Sequence, residues 1–122
     1  IICNAIDALE KDYEQRSPTE PNIFPSITIR TTAQKDTVLI DIADNGPGMT
    51  ETVKHQLFNP FFTTKKVGAG TGLGLAISYQ IVVEKHNGQL RCLSTPGEET
   101  HFLIEIPILQ KAIANKSTAE NC

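Results

Sequence analysis

The sequence predicts an α/β sandwich, with helices on one face of a mixed, mostly antiparallel sheet. Strand-like segments come in adjacent pairs, "SITIRTT" with "TVLIDIADNG" and "QLRCLS" with "THFLIEIP", each pair joined by a short turn. Helix-like segments fall before and between those pairs. A chain of 122 residues with 39% hydrophobic content can bury one core and not two.

Taken in order, Ile2, Ala5, Ile6 and Leu9 recur at helical spacing, which predicts a helix to about residue 15. Pro18, Pro21 and Pro25 then impose a loop, since prolines this dense break any regular element. The first two strands alternate apolar and polar residues, are rich in β-branched types and meet at "AQKD", a hairpin turn. "MTETVKHQLF" reads as a short helix with Thr50 as N-cap and Val53 and Leu57 at i, i+4. "NPFFTTKKVGAGT" is a loop, and "GLGLAISYQIVVEKH" a helix stopped by Asn87-Gly88. The last two strands flank a "TPGEE" turn, and residues 110–122 form a polar tail behind a domain spanning 1–109. The chain opens inside a helical pattern and its only Met is Met49, so it reads as part of a longer protein.

A formal net charge of −3 argues against a nucleic-acid partner. Cys3, Cys92 and Cys122 are odd in number and lack metal-like spacing, which predicts reduced thiols and a cytoplasmic setting. No apolar run approaches the roughly 20 residues of a membrane span, so no direct membrane contact is expected of this domain.

Four glycines, Gly68, Gly70, Gly72 and Gly74, run directly into a helix. Glycine lets backbone N–H groups approach a ligand, and a helix N-terminus offers free donors and partial positive charge. Together with Lys65 and Lys66 they suit a polyphosphate. Neither G-x-x-x-x-G-K-[ST] nor G-x-G-x-x-G fits: no Lys follows the glycines, and the sixth position from Gly68 is Leu73 and from Gly70 is Leu75. A flexible surface hinge accounts for this stretch equally well. "DNGPGM" places Asp44 at a strand end beside Gly46 and Gly48, where a carboxylate can accept from the N6 amine of adenine while the carbonyl of guanine would be repelled. A plain β-turn is the competing reading. Asn4, on the first helix, offers a neutral amide oxygen suited to a Mg²⁺ ion already carrying phosphates, or is simply a solvated helix residue.

In this order, "NAIDA" at 4–8, "DNGPGM" at 44–49, "LFNPFFTTK" at 57–65 and "GAGTGLGLAIS" at 68–78 resemble the N, G1, F and G2 boxes of sensor histidine kinases. "NGQLRCLSTPGEETHFLIEIP" is similar to the closing strands of the same ATP-binding catalytic domain. That domain has the Bergerat fold, shared with gyrase, Hsp90 and MutL, with a mobile ATP lid. The resemblance implies ATP and Mg²⁺ as ligands, with Asn4 on the metal and Asp44 on the adenine amine. Gly46 and Gly48 would lie beneath the base. Phe58, Phe61 and Phe62 would begin the lid, and Gly70, Thr71, Gly72, Leu73 and Gly74 would close over the phosphates. Thr100 would stand near the adenine pocket and Lys65 near phosphate. Asp7 occupies a place that is often basic in osmosensor-type kinases; an acid cannot clamp phosphate, so Asp7 is left out of the phosphate site. The turn "GEET" departs from the family's G-x-G-[ST], with Glu99 at the second glycine. The Glu that hydrolysing relatives carry four residues before the N-box Asn would precede Ile1.

The resemblance further implies transfer of the γ-phosphoryl group to a histidine on a separate helical dimerisation domain, for relay to a response regulator receiver domain. His55, His86 and His101 lack an acceptor-like context. Two alternatives remain: a nucleotide-gated interaction module without phosphotransfer, and a Ser/Thr-directed kinase of the same superfamily. The full "LFNPFFTTK" box argues against the last.

Overall fold

Alternation in the second strand segment organises the molecule. In a computed structural model, which describes residues 1–17, 19 and 23–110, that segment is strand β2, Thr37–Asp44, and it pairs on both sides. Strand β1, Ile27–Ala33, lies along one edge, and β4, Thr100–Pro107, along the other; β3, Gln89–Leu93, completes the order β1-β2-β4-β3. All pairings among the described residues are antiparallel, so the expected mixture is realised wholly on its antiparallel side.

Register decides which residues meet the helices. Ile42 stands opposite Phe102, Ile40 opposite Ile104, and Phe102 opposite Cys92. Because side chains alternate along a strand, these positions share one face. Ile42, Phe102 and Leu90 from that face join Leu57 and Val82 from the helical layer to form the core. Asp44 lies two residues beyond Ile42 on the same face, at the strand's end, opposite Thr100. Strand periodicity therefore delivers Asp44 to the helix side of the sheet, where water is scarce.

Helix α1 spans Ile2–Gln15 and turns Ala5 and Leu9 inward. Ile2 and Ile6, predicted to share that apolar stripe, are each 43% exposed, because no described element packs over that part of the helix. Helix α2, Glu51–Gln56, starts as predicted: the Thr50 side chain accepts the Val53 N–H at 3.4 Å. Helix α3 begins at Gly74 and runs to Tyr79. The expected α-helix does not continue; Gln80–Lys85 is a π-helical segment. Its end is held locally, with His86 Nδ1 at 2.7 Å from the Ile81 carbonyl oxygen and the Gly88 N–H bonded to Val82 O. Asn87, at φ 53°, takes the left-handed position of the predicted stop. Of the expected tail, residues 111–122 lie outside the described residues, as does the third cysteine, Cys122.

Candidate nucleotide-binding site

A cavity of about 520 Å³ opens between α1, the end of β2 and the loop that precedes α3. Its size suits a small-molecule ligand. Asn4, Asp44 and Thr100 line it together, although they are 40 and 56 residues apart in sequence. Gly48, Lys65, Gly70, Thr71, Gly72 and Gly74 also reach its wall. Gly46 and Leu73 do not. Gly46 stands behind Asp44, and Leu73 is the N-cap residue of α3.

Asp44 is the chemical focus. Only 4% of it is exposed, and its Oδ1 accepts the Gly46 N–H at 3.0 Å. Oδ2 has no hydrogen-bond partner among the described residues, leaving one acceptor for a ligand. Burial pushes this carboxyl above its ordinary value; the Gly46 N–H and the nearby His101 pull against that, and Glu99 adds slightly to it. A Cβ at position 46 would sit 2.7 Å from Oδ1, so glycine there makes room for the carboxylate itself.

Gly48 has a structural reason beyond the flat base it was predicted to support. It sits at φ +70°, and a Cβ there would lie 2.0 Å from the Thr95 carbonyl oxygen. The loop after β2 is thereby pressed against the β3–β4 turn. That turn leads into Thr100, the first residue of β4, which stays buried at 5% exposure despite Glu99 beside it. The Thr100 and Ser94 hydroxyls lie 2.9 Å apart, and Ser94 Oγ accepts the Met49 N–H. Sequence reasoning missed Ser94. Its signal was a polar residue at the end of the inward run Leu90, Cys92, Ser94.

The lid is closed at its base. Phe61 adopts φ 66°, unusual for a side-chain-bearing residue, and its N–H bonds to Gly72 O at 2.9 Å. Gly72, at φ +67°, could not carry a Cβ, which would come within 2.4 Å of the Phe61 carbonyl carbon. Phe61 itself points outward at 75% exposure, whereas Phe62 lines the cavity and Phe58 packs on Tyr79 with ring centroids 5.5 Å apart. Gly74 reaches the cavity where α3 begins and where helix N–H groups lack an intrahelical partner.

Two cations reach the wall. Lys65 does so while paired with Asp7 on α1. Lys11, which sequence reasoning also missed, lies seven residues after Asn4 and so on the same side of α1. Asn4 makes no side-chain hydrogen bond among the described residues, and no group of three or more His, Cys, Asp or Glu among them is placed to hold a metal ion. The donor set thus fits a Mg²⁺ ion that arrives with phosphate oxygens and takes one amide ligand, not a metal held by protein alone.

None of the three histidines lines the cavity. His55 Nδ1 is 2.6 Å from Glu51 O, and His101 Nδ1 is 2.9 Å from Asp41 Oδ1 on the opposite face of the sheet. Cys3 and Cys92 are free thiols, and burial pushes the Cys92 thiol up to about 11. No helix among the described residues is long and apolar enough to cross a membrane.

The chain is similar to known proteins over most of its length. The chain is 42% identical over 112 residues to sporulation kinase E of Bacillus subtilis, covering 92% of this chain and 13% of the relative. It is 41% identical over 80 residues to sensor kinase CckA of Brucella abortus, covering 66% of this chain and 8% of the relative. The chain therefore spans only a small part of the curated relatives it matches. Among solved structures, the nucleotide-free catalytic domain of histidine kinase ThkA superposes with a TM-score of 0.66 at 30% identity, covering 87% of this chain and 60% of that one. Full-length ShkA in complex with AMPPNP superposes at 0.62 with 25% identity, covering 72% and 18%. Residues 1–110 match the family described as histidine kinase-, DNA gyrase B- and HSP90-like ATPase, and the chain belongs to that family, with the fold of a histidine kinase catalytic domain.

Proposed function

We propose that this chain binds ATP in the 520 Å³ cavity and, within its parent protein, supplies the γ-phosphoryl group to a histidine on a separate helical dimerisation domain. The phosphoryl group would then pass to the receiver domain of a response regulator, with the whole exchange in the cytoplasm. The observation that carries the reading is the convergence of Asp44, Asn4 and the glycine lid on one cavity.

The free oxygen of Asp44 accepts the adenine N6 amine. Asn4 would hold Mg²⁺ by its amide oxygen, and the ion, when bound, would supply positive charge to offset that of the phosphates. The N–H groups from Gly72 into α3, with Lys65 and Lys11, receive the polyphosphate tail. Phosphoryl transfer needs in-line placement and charge neutralisation more than covalent help. The nucleophile has to come from outside, since a neutral imidazole is the expected acceptor and no histidine of this chain reaches the cavity. The outward Phe61, on a strained backbone at the lid base, is placed to meet that incoming domain.

The test is incubation with γ-labelled ATP and a helical dimerisation domain bearing the acceptor histidine. Acid-labile, base-stable label on that domain, abolished by EDTA, is the expected result. ATP binding without label would instead favour a nucleotide-gated interaction module, and acid-stable label a Ser/Thr-directed kinase. Label that survives EDTA would remove Asn4 from the Mg²⁺ role.

A further inference from the structure

Asp7 follows Asn4 by three residues, so both project from the same side of α1. Its carboxylate holds the ammonium of Lys65, 58 residues away in sequence at the root of the lid. Both residues line the cavity. We propose that Asp7 is a latch that sets phosphate affinity: it occupies Lys65 when the cavity is empty, and a polyphosphate must take the ammonium from it. The proposal rests on the reading that the cavity binds ATP.

The placement of Lys65 supports this. Its N–H bonds to Thr63 Oγ1 at 3.1 Å, and its stem runs so close to Gly70 that a Cβ there would meet Lys65 Cδ at 2.8 Å. The stem that carries the ammonium therefore packs closely against the glycine run. Holding one against α1 restrains the other, and releasing it frees the lid to move with an incoming anion. The side chains of Lys65 and Asp7 stay 28% and 38% exposed, so the pair is open to water and to a competitor. Exposed pairs of this kind are weak, which makes displacement by a polyanion feasible. Asp7 is also an obstacle in its own right, because a carboxylate beside Asn4 repels phosphate oxygens. Asp12, the other acid of α1 that lines the cavity, is already engaged in a pair with Arg16.

A latch of this kind discriminates between ligands by charge. Adenosine, which carries no phosphate, gains nothing from Lys65 and loses nothing to Asp7. ATP does both. Asp7→Asn keeps the size of the side chain and removes the charge at a partly exposed position, so the fold should persist.

The experiment compares wild type, Asp7→Asn and Asp7→Asn/Lys65→Met by titration with ATP and with adenosine, and by amide hydrogen exchange of residues 63–72 without ligand. Asp7→Asn is expected to bind ATP roughly twofold to fivefold more tightly, the scale of one partly exposed charge contact. Adenosine affinity should be unchanged, lid amides should exchange faster, and Lys65→Met should remove the gain. Weaker ATP binding by Asp7→Asn, an equal change for adenosine, or unchanged lid exchange would each overturn the latch. Failure of the ATP reading looks different: neither ligand binds any variant, while the Asp7→Asn lid still exchanges faster. That result overturns the competition for phosphate together with the ATP reading, and leaves the pair as a structural clasp.

Discussion

Asp44→Asn is expected to lower ATP affinity by roughly 10- to 100-fold, the loss of one hydrogen bond to a charged acceptor, about 1.5–3 kcal/mol. The amide is a poorer acceptor, and if its NH₂ turns toward the cavity it meets the adenine amine donor to donor. Stability should move the other way. Burial raises the Asp44 pKa in the folded chain above its ordinary value of 3.8, so the folded state holds that proton more tightly than the unfolded one. Stability from this group is therefore present below pH 3.8 and lost as pH rises through the folded pKa. Above that pKa the wild type keeps a buried charge that Asn lacks. Thermal melts of the two proteins at acid and neutral pH isolate the group, because every other carboxylate is common to both. The variant should melt at or above the wild type at pH 7, and its advantage should shrink toward acid pH. A variant that binds ATP like the wild type would remove Asp44 from the adenine role. One that melts lower at both pH values would show that the charge serves the fold.

The second large effect concerns the backbone beside that carboxylate. Gly48→Ala should destabilise the chain by about 2–5 kcal/mol, adding left-handed backbone strain to overpacking. The added methyl would lie 2.0 Å from Thr95 O and 2.9 Å from Glu98 O, backbone atoms with no rotamer to escape into. Gly97→Ala provides the control: its φ is +82°, yet nothing lies within 4 Å of the added Cβ. It should cost only the strain, about 1–2 kcal/mol. Denaturant unfolding of the two variants separates strain from collision. Equal losses would mean that the loop after β2 can move off the β3–β4 turn, and that the wall there is less rigid than described.

Legibility from sequence followed the range of each interaction. The strands were readable because alternation is local, and the same alternation places Asp44 inward with Ile42. The lid was readable from its glycines, and the Thr50 cap from the residue type before a short apolar period. What sequence did not reveal depends on partners far along the chain. Gly48 needs its missing side chain because of Thr95, a residue brought near only by the sheet. Ser94 matters because Met49 and Thr100 come to it. Lys65 was predicted near phosphate, and its engagement by Asp7 follows from the lid folding back onto α1. The π-helical stretch from Gln80 has no local signature, since its residues suit an α-helix equally well.

The agreement of four sequence boxes with one cavity also explains why single motifs were weak guides. Asn4 alone is an ordinary helix residue, and Asp44-Asn45-Gly46 alone is an ordinary turn. They meet on one cavity only because β2 ends beside α1, with Thr100 next to Asp44 on β4.

Calorimetric titration of the unmodified chain with Mg²⁺-ATP and with Mg²⁺-GTP bears on all of this at once. The two ligands share a triphosphate, a ribose and a metal and differ at the base edge facing Asp44. Saturable binding of ATP with GTP weaker by an order of magnitude or more is expected from an acceptor meeting an amine in one case and a carbonyl in the other. Equal affinity for the two would mean that Asp44 does not read the base, and would contradict the site as built here.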